Sequence, residues 1–411
     1  MEKIKRKTKD MYEKIFLSFI KRFKKGQLDL TLPSGKTMAI GDGNGINAEL
    51  IIKNSDFFKK FVLSGDIGFG ESFCDGDWET NDLTNLLRWA IQNIETSGII
   101  SGSNVKNISV NLFGKLNKLG HYLKKNNKKG SRKNISYHYD LSNDFYEIML
   151  DESMMYSCAV FDSDSLNLKE AQYKKLQMLC NDLNITNGDH ILEIGCGWGG
   201  FAIYAATKYD CQITGITISK EQFDYATRKV KELGLEDKIT ILMKDYRDLD
   251  GKYDKIISIE MIEAVGHDYL PKYFQKIDHL LKKDGVAVIQ AITSPDSRYD
   301  SFRQGVDFIQ KHIFPGSLLP SIRAMTKACT KTELYIFNLR DIGAHYAKTL
   351  RLWDEKVEKD KDKIKELGMD EIFFKKWKYY LCYCEAAFAE RNISDIQLTL
   401  IKPNNTKYRL V

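Results

Sequence analysis

The run HILEIGCGWGG, residues 190–200, sets Gly195, Gly197, Gly199 and Gly200 behind an apolar stretch that carries Glu193 near its end. Glycines there let the backbone turn tightly and let a ligand approach it closely. A second stretch, EMIEAVGH, puts Glu260 and Glu263 three residues apart directly after another apolar run. Carboxylates so placed lie near the carboxyl edge of a sheet, where open α/β folds bind ligands; the bland reading is a solvated helix start, which also favours acids. Metal and thiol chemistry find less support. The eight cysteines form no CxxC pair, Cys158 lacks a partner histidine motif, and His138 and His267 have no recognised ligand spacing. Reduced thiols in a reducing compartment are the expectation, with no metal.

These residues need a sheet to hold them. Apolar strands at His190–Ile194, Gln212–Thr217, Ile239–Lys244, Lys255–Ile259 and Gly285–Ala291 alternate with helical patterns at Gly199–Lys208, Lys220–Leu233 and Tyr269–Leu281. That alternation predicts a doubly wound parallel sheet, with further strands at Glu333–Leu339 and Ile396–Lys402. The glycine run also satisfies G-x-G-x-x-G, so a nicotinamide or flavin site has to be weighed. A dinucleotide fold wants an acid at the end of the second strand. Here that strand ends in Thr214 to Ser219 without a carboxylate. Glu193 instead sits where a methyltransferase orders the methionine or ribose end of S-adenosylmethionine, and Asp245 in KDYRDL sits where the adenine amine is met.

At 411 residues the chain is long enough for two compact units. The polar, basic stretch 126–134 (NNKKGSRKN) reads as a linker between a small α+β domain, 1–125, and a larger one, 135–411. Two segments, Lys3–Lys25 and Val105–Leu123, carry an apolar stripe at helical spacing against a lysine-rich face. They read either as surface helices docked on a core or as helices attracted to anionic lipid headgroups. Nucleic acid is disfavoured because no aromatic platforms interleave the lysines and the net charge is only +6. No apolar run approaches the roughly 20 residues of a transmembrane helix, and no signal peptide is evident. A cytoplasmic protein peripherally associated with the inner face of the membrane is expected.

An ordered set of motifs then resembles the cyclopropane-fatty-acid synthase family, which includes the mycolic acid cyclopropane synthases. The set runs SGDIGFGESFCDGDWE, YHYDLSNDFYEIML, MMYSCAVF, LEIGCGWGG, ITGITISKEQ, DYRDL, EMIEAVGHDY, IFPGSLLPS, HYAKTLRLW and RNISDIQLTLIKP, spanning nearly the whole chain. The resemblance implies a class I S-adenosylmethionine methyltransferase (Rossmann-like) sheet with helical lid insertions, 294–331 and 344–392, covering an acyl chain. It implies that Tyr139, Tyr156, Ser157, Gly195, Gly197, Thr217, Gln222, Asp245 and Tyr246 hold S-adenosylmethionine, alongside Glu193 from its place at the strand end. It further implies a bicarbonate ion held by Cys158, Glu263, Gln290, Ile292 and Tyr346, with Glu263 accepting the ion's O–H. The first domain is implicated in lipid engagement and in a homodimer.

One departure stands out: Gln290 occupies a position that is histidine in the family's well-studied members. Glutamine donates and accepts hydrogen bonds but carries no proton. The implied reaction is methyl transfer to a cis double bond of a phospholipid acyl chain, with the ring closing after proton loss to bicarbonate. Tyr346 with Phe302, Phe308 and Phe314 are candidates to stabilise the cation. A methylene- or methyl-forming enzyme of the same family, a small-molecule N-methyltransferase and a non-catalytic lipid-binding protein are the alternatives.

Overall fold

A computed structural model describes residues 2–96, 142–163 and 165–408. The expected linker, the stripe at Val105–Leu123 and Tyr139 lie outside the described residues. The elements begin α1 (Glu2–Ile20), β1 (Gln27–Thr31), β2 (Thr37–Gly41), β3 (Asn47–Ile52), α2 (Asp56–Cys74), β4 (Trp78–Glu79) and α3 (Leu83–Thr96). They continue α4 (Asn143–Met149), α5 (Leu168–Leu183), β5 (His190–Ile194), α6 (Gly200–Lys208), β6 (Gln212–Thr217), α7 (Lys220–Glu232), β7 (Ile239–Met243), β8 (Tyr253–Ile259), α8 (Leu270–Leu280) and β9 (Leu281–Thr293). After these come α9 (Phe308–His312), α10 (Ile322–Cys329), β10 (Tyr335–Asp341), α11 (Ala344–Lys359), α12 (Glu371–Ala389) and β11 (Ser394–Ile401).

The chain divides into two compact units, and the division is not the single cut expected near residue 126. Residues 2–96, 300–315 and 368–392 form the first; 142–163, 165–299, 316–367 and 393–408 form the second. Much of what was expected to cover the second unit therefore belongs to the first.

In the first unit a four-stranded sheet, ordered β2-β1-β3-β4, joins α1, α2 and α3 around Phe16, Phe57, Phe58, Trp78 and Trp89. The stripe of α1 is spent here: Phe16, Ile20 and, just beyond the helix, Phe23 are buried. The later segments complete this core. Phe308 on α9 packs tilted against Tyr379 on α12 with ring centroids 4.5 Å apart. Thr84 donates to Glu385 at 2.9 Å, and Arg88 pairs with Glu390 at 2.7 Å. Glu71 on α2 accepts from Lys311 and His312.

The second unit is a seven-stranded sheet ordered β10-β11-β9-β8-β5-β6-β7. Strands β5 to β9 run parallel, while β11 is antiparallel to both β9 and β10. The central strands are near-continuous apolar runs because helices cover both faces. One face packs Phe274, Ile277 and Leu280 of α8 and Met325 of α10; the other packs Leu176 and Leu179 of α5 and Phe201 and Ala205 of α6. Polar caps start the helices where the ligand edge needs them: Asn167 and Glu170 form a reciprocal box on α5, and Ser219 accepts from the Gln222 amide on α7. Strand order reverses between β5 and β8, and such a switch point leaves a crevice at the strands' carboxyl ends.

Candidate active site

The glycine turn leaves β5 at that crevice. Gly195, Gly197 and Gly199 have φ of +82°, +53° and +89°, a left-handed conformation that costs other residues roughly 1–2 kcal/mol. The turn is tied to β6 by the Gly195 and Cys196 amides, which both donate to the Ile216 carbonyl. A Cβ on Gly195 would lie 2.7 Å from Met261 Cγ, so the turn packs directly on the segment between the two glutamates. A Cβ on Gly197 would meet nothing within 4 Å. That open backbone is the surface a donor molecule can lie on.

Glu193 is buried at the end of β5, and its Oε2 has no hydrogen-bond partner among the described residues. Burial pushes its carboxyl well above the usual range. An orphaned buried oxygen beside an open glycine turn suits a ligand hydroxyl or ammonium, so these residues fit S-adenosylmethionine. Thr217 donates to Gln222 at 2.8 Å and accepts from the Ser219 amide. Asp245 is held in two hydrogen bonds by the Arg247 guanidinium, at 2.8 and 2.6 Å, both side chains being almost fully buried. Tyr246 is buried, its phenol pushed up to about 12 mainly by burial, and it packs edge-on against Tyr273. Tyr156 packs on Tyr146, and Tyr146 packs on Trp198 of the glycine turn.

The second group forms one hydrogen-bonded network. Its centre is Glu260, the first of the two glutamates. Glu260 Oε1 accepts from the Cys158 amide at 2.8 Å and from Gln290 Nε2 at 2.9 Å; Oε2 accepts from the Tyr346 hydroxyl at 2.5 Å. Gln290 also donates to Asp395 at 2.9 Å and accepts from Gln397 at 3.1 Å. Glu263 Oε1 accepts the Ile292 amide at 2.6 Å. Burial and the nearby Glu260 push Glu263 up to about 8, and the same two causes push Asp395 well above the usual carboxyl range. Lys175, fully buried on α5, donates to Ser157 Oγ at 2.8 Å; burial pulls it down to about 8. Cys158 is fully buried, and its thiol is pushed up by that burial, so it presents a backbone donor and no thiolate.

The residues expected to hold a bicarbonate ion face the chain's own glutamates. Cys158, Gln290 and Tyr346 donate to Glu260, and the Ile292 amide donates to Glu263. The residues assigned to an anion already hold the chain's own carboxylates, and they do not fit a second anion in the same place. Two of the three candidate phenylalanines pack in the first unit. Phe308 is core of the first unit, and Phe314 packs there against Tyr380.

Arg247, Lys175, Asp395 and the central role of Glu260 were missed from the sequence. Lys175 had a signal: it shares one stripe with Ala171, Leu176 and Leu179, a lysine on a buried helix face. Arg247 stands two residues from Asp245 in DYRDL.

The sheet order, the glycine turn at the switch point and the buried polar network define a class I S-adenosylmethionine-dependent methyltransferase. A family model described as mycolic acid cyclopropane synthetase matches residues 126–398, and the chain belongs to that family. It is 37% identical over 358 residues to tuberculostearic acid methyltransferase UfaA1 of Mycobacterium tuberculosis, covering 82% of this chain and 79% of the relative. It is 35% identical over 356 residues to the cyclopropane-fatty-acyl-phospholipid synthase of Escherichia coli strain K12, covering 84% and 86%. Among solved structures, mycolic acid cyclopropane synthase CmaA1 complexed with SAH and CTAB superposes with a TM-score of 0.62 at 31% identity, covering 66% of this chain and 98% of that one. Coclaurine N-methyltransferase, at 19% identity and a TM-score of 0.60, shares the fold.

Proposed function

We propose that this enzyme transfers the methyl group of S-adenosylmethionine to a cis double bond in a phospholipid acyl chain, and that loss of a proton then closes a cyclopropane ring. The observation that carries the reading is the buried cage of Cys158, Glu260, Gln290 and Tyr346 next to a glycine turn. Its chemistry suits proton removal in a dry pocket, and it includes no histidine-activated hydroxyl or thiol. An alkene needs no deprotonation before it attacks. The donor supplies the electrophile, a methyl on a positively charged sulfur. The chain's residues have to align the reacting carbons, exclude water and take up the proton, and alignment alone can lower a barrier by several kcal/mol. Tyr346 presents a ring at the network, and an aromatic face stabilises a nearby cation by about 0.5–2 kcal/mol. Relatives at similar identity are named for both cyclopropane and methyl products, so a methylene or methyl branch at the former double bond is the second reading.

No helix among the described residues is long and apolar enough to cross a membrane. With the apolar side of α1 spent inside its own unit, lipid contact would be peripheral and carried by lysines facing anionic headgroups. A homodimer with two such faces would bind vesicles more tightly than one copy does. The test combines purified protein, S-adenosylmethionine and vesicles of unsaturated anionic phospholipid. Release of S-adenosylhomocysteine together with a one-CH2 mass gain in the lipid is the expected result. Bromine uptake then separates a ring from a methylene. Methylation of a soluble amine with untouched vesicles would overturn the lipid assignment.

A further inference from the structure

We infer that the Glu260 carboxylate itself is the base that removes the proton from the newly added carbon, taking the place the family resemblance gives to bicarbonate. The inference rests on the alkene reading above and deepens it.

Two independent observations carry it. The first is occupancy. The Cys158 amide, the Gln290 side chain and the Tyr346 hydroxyl come from three separate parts of the second unit, and all three converge on one carboxylate at 2.8, 2.9 and 2.5 Å. Three donors on two oxygens, two on Oε1 and one on Oε2, hold the carboxylate and leave one of its roughly four lone-pair sites for a proton. Placing another anion in that cage would break these bonds and set two negative charges side by side.

The second observation is backbone strain. Glu260 has φ of +49°, and only four other non-glycine residues among those described share a positive φ. Glycine adopts that conformation freely, whereas a residue with a Cβ pays roughly 1–2 kcal/mol for it. Strain at a position where glycine would be cheaper is expected where the side chain is needed. The left-handed turn sits directly after β8 and delivers the carboxylate to the crevice.

The surroundings suit a base. Burial raises Glu260 from the usual carboxyl range while the three donors and the Lys175 charge pull against it, and a carboxylate raised toward the working pH is a stronger proton acceptor. Gln290 cannot take the proton, and Asp395 and Glu263, both raised by burial and by the nearby Glu260, are not held by all three of these donors. The electrons balance without a further reactant. The carbon–sulfur bond breaks with its pair left on sulfur, and the alkene pair forms the new carbon–carbon bond. The C–H pair then closes the ring as the proton moves to a Glu260 oxygen and later to solvent; a methylene forms by the same proton loss only after a 1,2-hydride shift has brought the cation onto the carbon that bears the new methyl.

The experiment compares wild type, Glu260→Gln and Glu260→Gly. Methyl transfer to unsaturated vesicles is followed in buffer stripped of carbonate and in buffer with added bicarbonate. Binding of 13C-labelled bicarbonate is followed by NMR without lipid. Wild type should turn over equally in both buffers and bind no bicarbonate. Glu260→Gln should still bind S-adenosylmethionine but lose on the order of 100-fold in rate, the low end of general-base effects. Glu260→Gly relieves the backbone and opens the cage, so it should bind bicarbonate or formate and recover part of the rate when either is supplied. A wild type that binds bicarbonate, or slows when carbonate is removed, overturns the inference; so does a Glu260→Gln variant that stays within a few-fold of wild type. A wild type silent toward vesicles sinks the lipid reading alone, and the NMR arm then decides who occupies the cage.

Discussion

Alanine at Gly197 and alanine at Gly195 should separate cofactor binding from packing within one turn of chain. Both positions have positive φ, so each substitution carries a backbone cost of roughly 1–2 kcal/mol. At Gly195 the new methyl lies 2.7 Å from Met261 Cγ and 3.0 Å from its Cβ, and overpacking of this kind adds about 1–3 kcal/mol. Gly195→Ala should therefore cost about 2–5 kcal/mol in stability, and Gly197→Ala only the backbone share. Ligand binding should reverse the order of visible effects. The space above Gly197 is free of protein, so a methyl there intrudes only on the donor. Gly197→Ala should weaken S-adenosylmethionine by about tenfold or more, equivalent to about 1.4 kcal/mol. Thermal melting without ligand and calorimetric titration of S-adenosylmethionine read the two effects apart. If Gly197→Ala binds the donor within about twofold of wild type, the open face of the turn is not the cofactor bed. If the two variants melt together, the Met261 contact carries no weight.

Three further outcomes are expected. Arg247→Met takes the guanidinium from the buried Asp245 carboxylate, which keeps the residue-247 amide, and should cost about 3–5 kcal/mol, with part of that returned by the double variant Arg247→Met, Asp245→Asn in the same unfolding assay. Phe308→Ala should destabilise the first unit by about 3–5 kcal/mol while S-adenosylmethionine titrates as in wild type; weakened donor binding would contradict the placement of Phe308 in that unit's core. Glu263, pushed up to about 8, keeps in the folded chain a proton that the unfolded chain releases near its ordinary value of 4.5. Its contribution to stability should therefore fall as pH rises from about 4.5 to 8 and be flat above. Glu263→Gln should remove that part of the slope in melts run across pH 5 to 9.

The parallel sheet was legible because its strands are buried on both faces and read as apolar runs, so β5 and β6 matched residue for residue and the others within a few positions. β2 was not legible: of Thr37–Gly41 only Ile40 is buried, too little for a pattern. α2 was hidden by its own glycines, Gly65 with φ of +58° breaking the helix inside its span. The aromatic stretch of α12 announced burial without saying in which unit, since hydrophobicity is non-directional. The glycine turn and both glutamates were visible as types and spacing. Which glutamate the donors face depends on the left-handed backbone at Glu260, and no composition or period encodes that. Asp395 stood in RNISDIQLTLIKP as an acid heading an apolar strand; its pairing with Gln290 follows only from the antiparallel register of β11 on β9.

The first unit draws on three stretches of chain, and the last of them ends at residue 392. During synthesis its sheet and first helices leave the ribosome long before α9 and α12, which bring Phe308, Tyr379 and Glu390 to them. Strand β11, which fills the gap between β9 and β10 in the other unit, emerges later still. Neither half can close its core until almost the entire polypeptide is made, so a fragment cut near residue 125 should expose sticky surface, and exchanging the front portion between relatives at one junction should fail where an exchange of all three stretches succeeds.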